Sequence, residues 1–279
     1  MTILRAALLV PVAILAALPL LAAQALALRF RPALARRIPI WINRVLLFAM
    51  GVRVHVRGAR ATDRPLVLVA NHVSWLDIPV LAAVAPVRFV SKAEVGAWPI
   101  IGQLARLCRT VFIERGNHGT VGAKANEVVE ALDAGDLVVI FPEGTTSDGN
   151  RVMAFKSGLL GAVRGAMGDR ELHVQPLSIV HTHASGLLLG RARRNHAAYP
   201  GGVSLGASLG RVLGEGSLDV AVDWGEAVPY PADVPRKVFA ARLEARVRTM
   251  FGRRVSDGRM PAGARHTLSP ISRVEPAGA

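Results

Sequence analysis

From Val52 onward, short apolar runs alternate with longer stretches whose apolar residues recur at helical spacing. Val52, Val54 and Val56 alternate with Arg53, His55 and Arg57, the period-2 pattern of a half-exposed strand that leaves His55 on the solvent side. Apolar runs rich in β-branched residues predict further strands at 66–70, 87–90, 110–113, 137–141, 174–180 and 218–222. Pro176 interrupts the run at 174–180, which predicts an edge strand or a bulge at that point. Helical spacing predicts helices over 76–85, 98–108, 121–132 and 156–167. Another is predicted over 234–250, where Val234, Val238, Leu243, Val247 and Met250 form the apolar face. Strands alternating with helices predict an α/β fold: a mixed, largely parallel sheet flanked by helices. At 279 residues the chain is long enough for one such domain with a sizeable core.

The first fifty residues follow a different pattern. Ala6 to Leu28 carries no charge and would span about 34 Å as a helix, enough to enter or cross a bilayer, with kinks at Pro11 and Pro19. Arg5 before the run and Ala23-Gln24-Ala25 within it offer a signal-peptide reading. The run is long for a signal sequence, and Arg29, Arg31, Arg36 and Arg37 follow at once, which favours a retained anchor with its flank at the cytoplasmic lipid face. The segment 38–50, with Trp41 and a single Arg44, is too short to span and reads as interfacial. The expected organisation is an N-terminal membrane-anchoring helical segment at 1–50 and an α/β domain at 51–252. A disordered Arg-, Ser-, Pro- and Gly-rich tail is expected at 253–279.

Charge narrows the partners. Thirty-four basic against 20 acidic residues leave +14, a balance suited to a polyanionic surface. Aromatic residues are only 5% of the chain, and no zinc-ligand pattern or RNA-binding aromatic motif is present, so an anionic membrane surface is favoured over nucleic acid. The single Cys108 excludes an internal disulfide and fits a reducing compartment.

Candidate chemistry gathers at strand ends. Asn71-His72-Val73-Ser74-Trp75-Leu76-Asp77 leaves the carboxyl end of the run at 66–70, where open α/β sheets hold their sites. There His72 can serve as a general base, with Asp77 accepting from its Nδ1–H. Phe141-Pro142-Glu143-Gly144-Thr145-Thr146-Ser147-Asp148-Gly149 leaves another strand as a loop with two carboxylates and three hydroxyls. Val111-Phe112-Ile113-Glu114-Arg115 ends a third on an arginine able to grip an anion.

These blocks, in this order and with the proline-centred strand after them, resemble the lysophosphatidate/glycerolipid acyltransferase family over roughly residues 50–230. The resemblance implies transfer of a fatty acyl group from acyl-CoA or acyl-carrier protein to a lysolipid hydroxyl, without metal or prosthetic cofactor. It implies His72 as general base, Asp77 as its orienting partner, and Arg115, Glu143, Gly144, Thr145 and Thr146 around the acceptor, with Lys92 matching a basic residue there. Where the family usually has Arg after Glu-Gly-Thr, this chain has Thr146. The run Thr-Thr-Ser-Asp-Gly-Asn, followed by Arg-Val and Phe-Lys, resembles the branch acting on lyso-ornithine lipid, whose head group carries no phosphate. Both acceptors stay open at this level.

Rival readings are weaker. Gly206-Ala207-Ser208-Leu209-Gly210 matches the nucleophile elbow of α/β-hydrolases, but no strong strand precedes it, no convincing helix is predicted after it, and the later histidine is His266 in the tail. His181 and His183 would share a strand face without a third metal ligand near in sequence. A basic lipid-binding protein without catalysis is the non-enzymatic alternative.

Overall fold

The computed structural model describes residues 2–99, 101–113, 118–200 and 204–257. In chain order the elements are α1 (Thr2–Phe30), α2 (Pro32–Ala35), α3 (Ile38–Ala49), β1 (Val52–Arg57), β2 (Leu66–Ala70), α4 (Asp77–Val84) and β3 (Val87–Lys92). Then come α5 (Ala93–Gly96), α6 (Ile101–Leu107), β4 (Val111–Ile113), α7 (His118–Asp133), β5 (Leu137–Ile140), α8 (Gly158–Met167) and β6 (His173–Ala184). The chain continues through β7 (Leu187–Leu188), α9 (Arg191–Ala197), α10 (Leu205–Gly214), β8 (Leu218–Trp224), β9 (Val228–Pro229) and α11 (Arg236–Asp257).

Among the described residues the strands form one sheet in the order β1-β8-β6-β2-β5-β3-β4, with β7 and β9 paired to β6. Every pair is parallel except those β6 makes with β7, β8 and β9. β2 is wholly buried, and this explains its uninterrupted Leu-Val-Leu-Val-Ala sequence: a parallel strand covered on both faces has no polar side to show. Leu66, Leu68 and Ala70 face a core shared with α4 and α10, whereas Val67 and Val69 face one built from α7, α8 and α11. Because β2 lies between β5 and β6, the loops after β2 and β5 leave side by side at the carboxyl edge.

β6 corrects the expectation set by Pro176, since it is an internal strand flanked by β2 and β8. His173 N donates to Pro65 O and Ile179 N to Asn71 Oδ1, so the odd-numbered amides point toward β2. The proline nitrogen therefore faces the other neighbour, at the break where pairing passes from β9, opposite Val174, to β8, opposite Leu177. No ladder donor is lost.

Three further expectations change. His55 is 3% exposed rather than solvated, because Asp219 on the adjacent β8 accepts from its Nε2 at 2.8 Å. α11 runs past Gly252 to Asp257, held by buried Phe251 and by Arg254, which pairs with Asp223; residues from 258 lie outside those described. Arg36, expected on the lipid-facing flank, pairs with an acid of the α/β domain. It joins Arg88 and Arg109 around the buried Asp136 at the amino end of β5, at 3.0, 3.2 and 2.6 Å, which fastens the N-terminal helices to the sheet. These helices expose Val12, Leu15, Leu18 and Leu26 on α1 and Trp41, Leu46 and Phe48 on α3. Among the described residues no helix is long and apolar enough to cross a membrane.

Candidate active site

The loop from β2 to α4 is shaped by Asn71. Its carboxamide donates to Ile179 O and accepts from Ile179 N, at 2.9 and 2.8 Å, continuing the β2–β6 ladder by one step with a side chain in place of backbone. The main chain is thereby free to turn away from the sheet, and the next residue, His72, stands at its edge. Asp77 opens α4 and is fully buried. Its Oδ2 accepts from His72 Nδ1 at 2.8 Å, from Val73 N at 2.6 Å and from Ser74 N at 2.9 Å. Burial alone would raise the Asp77 pKa, but the adjacent imidazoles of His181 and His72 outweigh it and hold this carboxyl well below the usual carboxylate range. An ionised Asp77 that accepts from Nδ1–H leaves the Nε2 lone pair of His72 as the basic atom. The imidazole is 18% exposed.

The loop after β5 supports that ring. Phe141 stacks on the imidazole, centroids 4.1 Å apart at 17°. Ser147 N donates to His72 O at 2.8 Å, and Glu143 Oε1 accepts from His72 N at 3.3 Å. Gly144 turns the loop at φ +71°, a conformation favourable for a residue without Cβ. Gly149, at φ +76°, sits so close that a Cβ there would come within 3.3 Å of Val73. Thr145 is exposed at the rim, whereas the Thr146 hydroxyl donates to Tyr199 O. Tyr199 N in turn donates to Val73 O at 2.9 Å, so the segment after α9 is tied to both loops.

Other sequence candidates fall on the same edge or drop away. Lys92 ends β3 as an exposed residue, paired in register with Ile113 at the end of β4. Arg115 lies outside the described residues. Ser208 sits inside α10, fully buried, with its hydroxyl accepting from Trp75 Nε1 at 3.0 Å; a helical, sequestered serine cannot act as the nucleophile of an elbow, and the expectation of no helix there is also corrected. A register shift between His181 and His183 breaks their shared face. Burial pushes the Cys108 thiol up to about 11, so it stays protonated and inert. Sequence reasoning missed Phe141 and Asn71 as site residues, since an apolar residue ending a strand and an Asn in a turn both have common structural explanations.

Glu143 is 1% exposed, and burial pushes its carboxyl up to about 8 against the opposing pull of backbone N–H groups from His72 and Met153. Unfolded, this group releases its proton near 4.5. Between 4.5 and 8 the folded chain therefore binds more protons, and stability falls as pH rises through that window. Glu143→Gln, which copies the protonated form, should flatten the dependence of Tm on pH across this range. Equal slopes in wild type and variant would show that no proton is retained.

Residues 51–180 match the Acyltransferase family model. The lyso-ornithine lipid O-acyltransferase of Rhizobium meliloti is 43% identical over 244 residues, covering 86% of this chain and 83% of that protein. A 1-acyl-sn-glycerol-3-phosphate acyltransferase of Neisseria meningitidis is 36% identical over 130 residues, covering 46% of this chain and 51% of that protein. The crystal structure of the 1-acyl-sn-glycerophosphate (LPA) acyltransferase PlsC of Thermotoga maritima has the same fold, with a TM-score of 0.63 at 22% identity over 93% of this chain and 99% of that one. The chain belongs to the acyltransferase family and is an O-acyltransferase.

Proposed function

We propose that the enzyme transfers a fatty acyl group from a thioester donor, acyl-CoA or acyl-carrier protein, to the free hydroxyl of a lysolipid, and that lyso-ornithine lipid is the preferred acceptor. The observation that carries the chemistry is the buried Asp77 on Nδ1 of His72, at 2.8 Å, with the ring at the carboxyl edge of the sheet. An alcohol is a weak nucleophile at neutral pH, so the base must take its proton as it attacks. In this reading the hydroxyl proton passes to His72 Nε2 while the oxygen bonds to the thioester carbon. Collapse of the tetrahedral intermediate then expels the thiolate, which takes that proton back. No covalent enzyme intermediate is needed.

Two observations favour the lyso-ornithine acceptor. The relative bearing that name aligns along most of the chain, whereas the glycerol-3-phosphate relative aligns over less than half of it. Thr146 replaces the family's arginine, and its hydroxyl is spent on Tyr199 O, leaving no donor at that position for a phosphate. Turnover of a lysolipid panel by purified enzyme with both donors tests this directly. Preference for lysophosphatidate would overturn the acceptor.

We also place the enzyme on the cytoplasmic membrane face, seated through the exposed apolar side chains of α1 and α3, with Arg29, Arg31 and Arg37 toward anionic head groups.

His72→Ala should lower kcat roughly 10²–10⁴-fold in a folded protein, and Asp77→Asn should also be severe; near-normal rates would remove the general-base mechanism. Thr146→Arg adds a charge-assisted contact of about 1.5–3 kcal/mol, so the kcat/KM ratio of lysophosphatidate to lyso-ornithine lipid should rise by roughly 10- to 150-fold. A fixed ratio would mean that position 146 does not read the head group. For the membrane seat, Leu15→Glu combined with Leu18→Glu should abolish co-sedimentation with anionic vesicles while sparing turnover of detergent-dispersed acceptor. Unchanged sedimentation would place the seat elsewhere.

A further inference from the structure

Asp77 is loaded unevenly. Three donors converge on Oδ2, while Oδ1 forms no hydrogen bond and is buried. An unmatched carboxylate oxygen away from water is costly. The group facing it is a second imidazole: His181 Nε2, on β6, stands 3.5 Å from Oδ1. The His181 side chain is 1% exposed, and neither of its ring nitrogens has a hydrogen-bond partner. Its position is fixed from two sides. Ile179, two residues earlier and on the same face, is clamped by the Asn71 carboxamide, and a register shift follows directly after His181. Such irregularities re-aim side chains beside functional sites. The titratable groups facing the carboxylate are His72 from the β2 loop, His181 from β6 and Glu143 from the β5 loop.

We infer that His181 is a positioning residue for the acyl transfer, holding the Asp77 carboxylate from behind so that Oδ2 stays aimed at His72 Nδ1. Donation from Nε2–H to Oδ1 leaves a bare Nδ1 lone pair in the core, which costs less than leaving an oxygen of a buried charged carboxylate unpaired. Donation requires the ring and the carboxylate to close from their 3.5 Å separation into hydrogen-bond geometry. When His72 takes the acceptor's proton, the new imidazolium pairs with Asp77 Oδ2, and a carboxylate anchored at both oxygens cannot swing off that line. His181 acts entirely through Asp77, so this inference rests on the His72–Asp77 reading above.

A double-mutant cycle tests it, with kcat and KM measured using an acyl-CoA donor and a lysolipid acceptor on the full chain. His181→Leu, which keeps volume but removes the donor, should lower kcat roughly 10- to 100-fold with KM for the acceptor unchanged. His181→Gln, which can present an N–H near the Nε2 position, should recover most of that loss. In an Asp77→Asn background, His181→Leu should cost less than about threefold, because the carboxylate it serves is gone. Full kcat in folded His181→Leu, or the same fold-loss in both backgrounds, overturns the inference. An Asp77→Asn enzyme with undiminished kcat sinks the dyad reading and this one with it. An inactive Asp77→Asn enzyme beside a fully active His181→Leu enzyme sinks this one alone.

Discussion

One buried negative charge organises this protein. Asp77 lies in the core at the start of α4, and the groups that make its burial tolerable are those that build the site: the His72 ring and the first two amides of the following turn. Without them the charge would face an apolar helix and sheet; with them, the β2–α4 loop has a single low-energy shape. The loop after β5 closes on that shape through Ser147 and Glu143, and Tyr199 closes on it through Val73. The geometry of the candidate site and the local fold are therefore one energetic object. A substitution that loosens Asp77 frees the His72 ring and the turn after it together.

What could be read from residues alone follows the local nature of the signals. β2 was legible to the residue because Leu66–Ala70 is a continuous apolar run with a proline before it and a polar turn after it. β6 was longer than its apolar run, because Gln175, Ser178 and His181 are polar residues buried by elements that arrive from distant parts of the chain. Gln175, for example, serves Ala59, Ala61 and Gly225. His55 was misread for the same reason, since alternation assigns a face but cannot say that Asp219 will stand beside it. α10 was hidden by its three glycines, which weaken helix propensity in a segment that tertiary packing around Val212 and Ser208 stabilises.

The contact between His72 and Asp77 was legible because a histidine and an aspartate five positions apart at a strand end are close in sequence and in space. Its supports were not. Phe141, Asn71 and Tyr199 act through contacts set by sheet order, and a single sequence does not reveal that β5 and β6 flank β2. The Asp136 cluster has the same origin: three arginines from separate stretches converge on one acid only after the sheet has formed.

The Phe141 ring against His72 bears on how the enzyme treats water. An aromatic plane 4.1 Å from the imidazole covers one face of the base. The stack keeps solvent off that face, while the Nε2 lone pair, which lies in the ring plane, stays open at the edge. A nucleophile must instead come in edge-on, within the ring plane, to meet the Nε2 lone pair. The stacked ring, together with the Asp77 contact on Nδ1, thus fixes the plane of the imidazole and the heading along which a proton donor must meet Nε2.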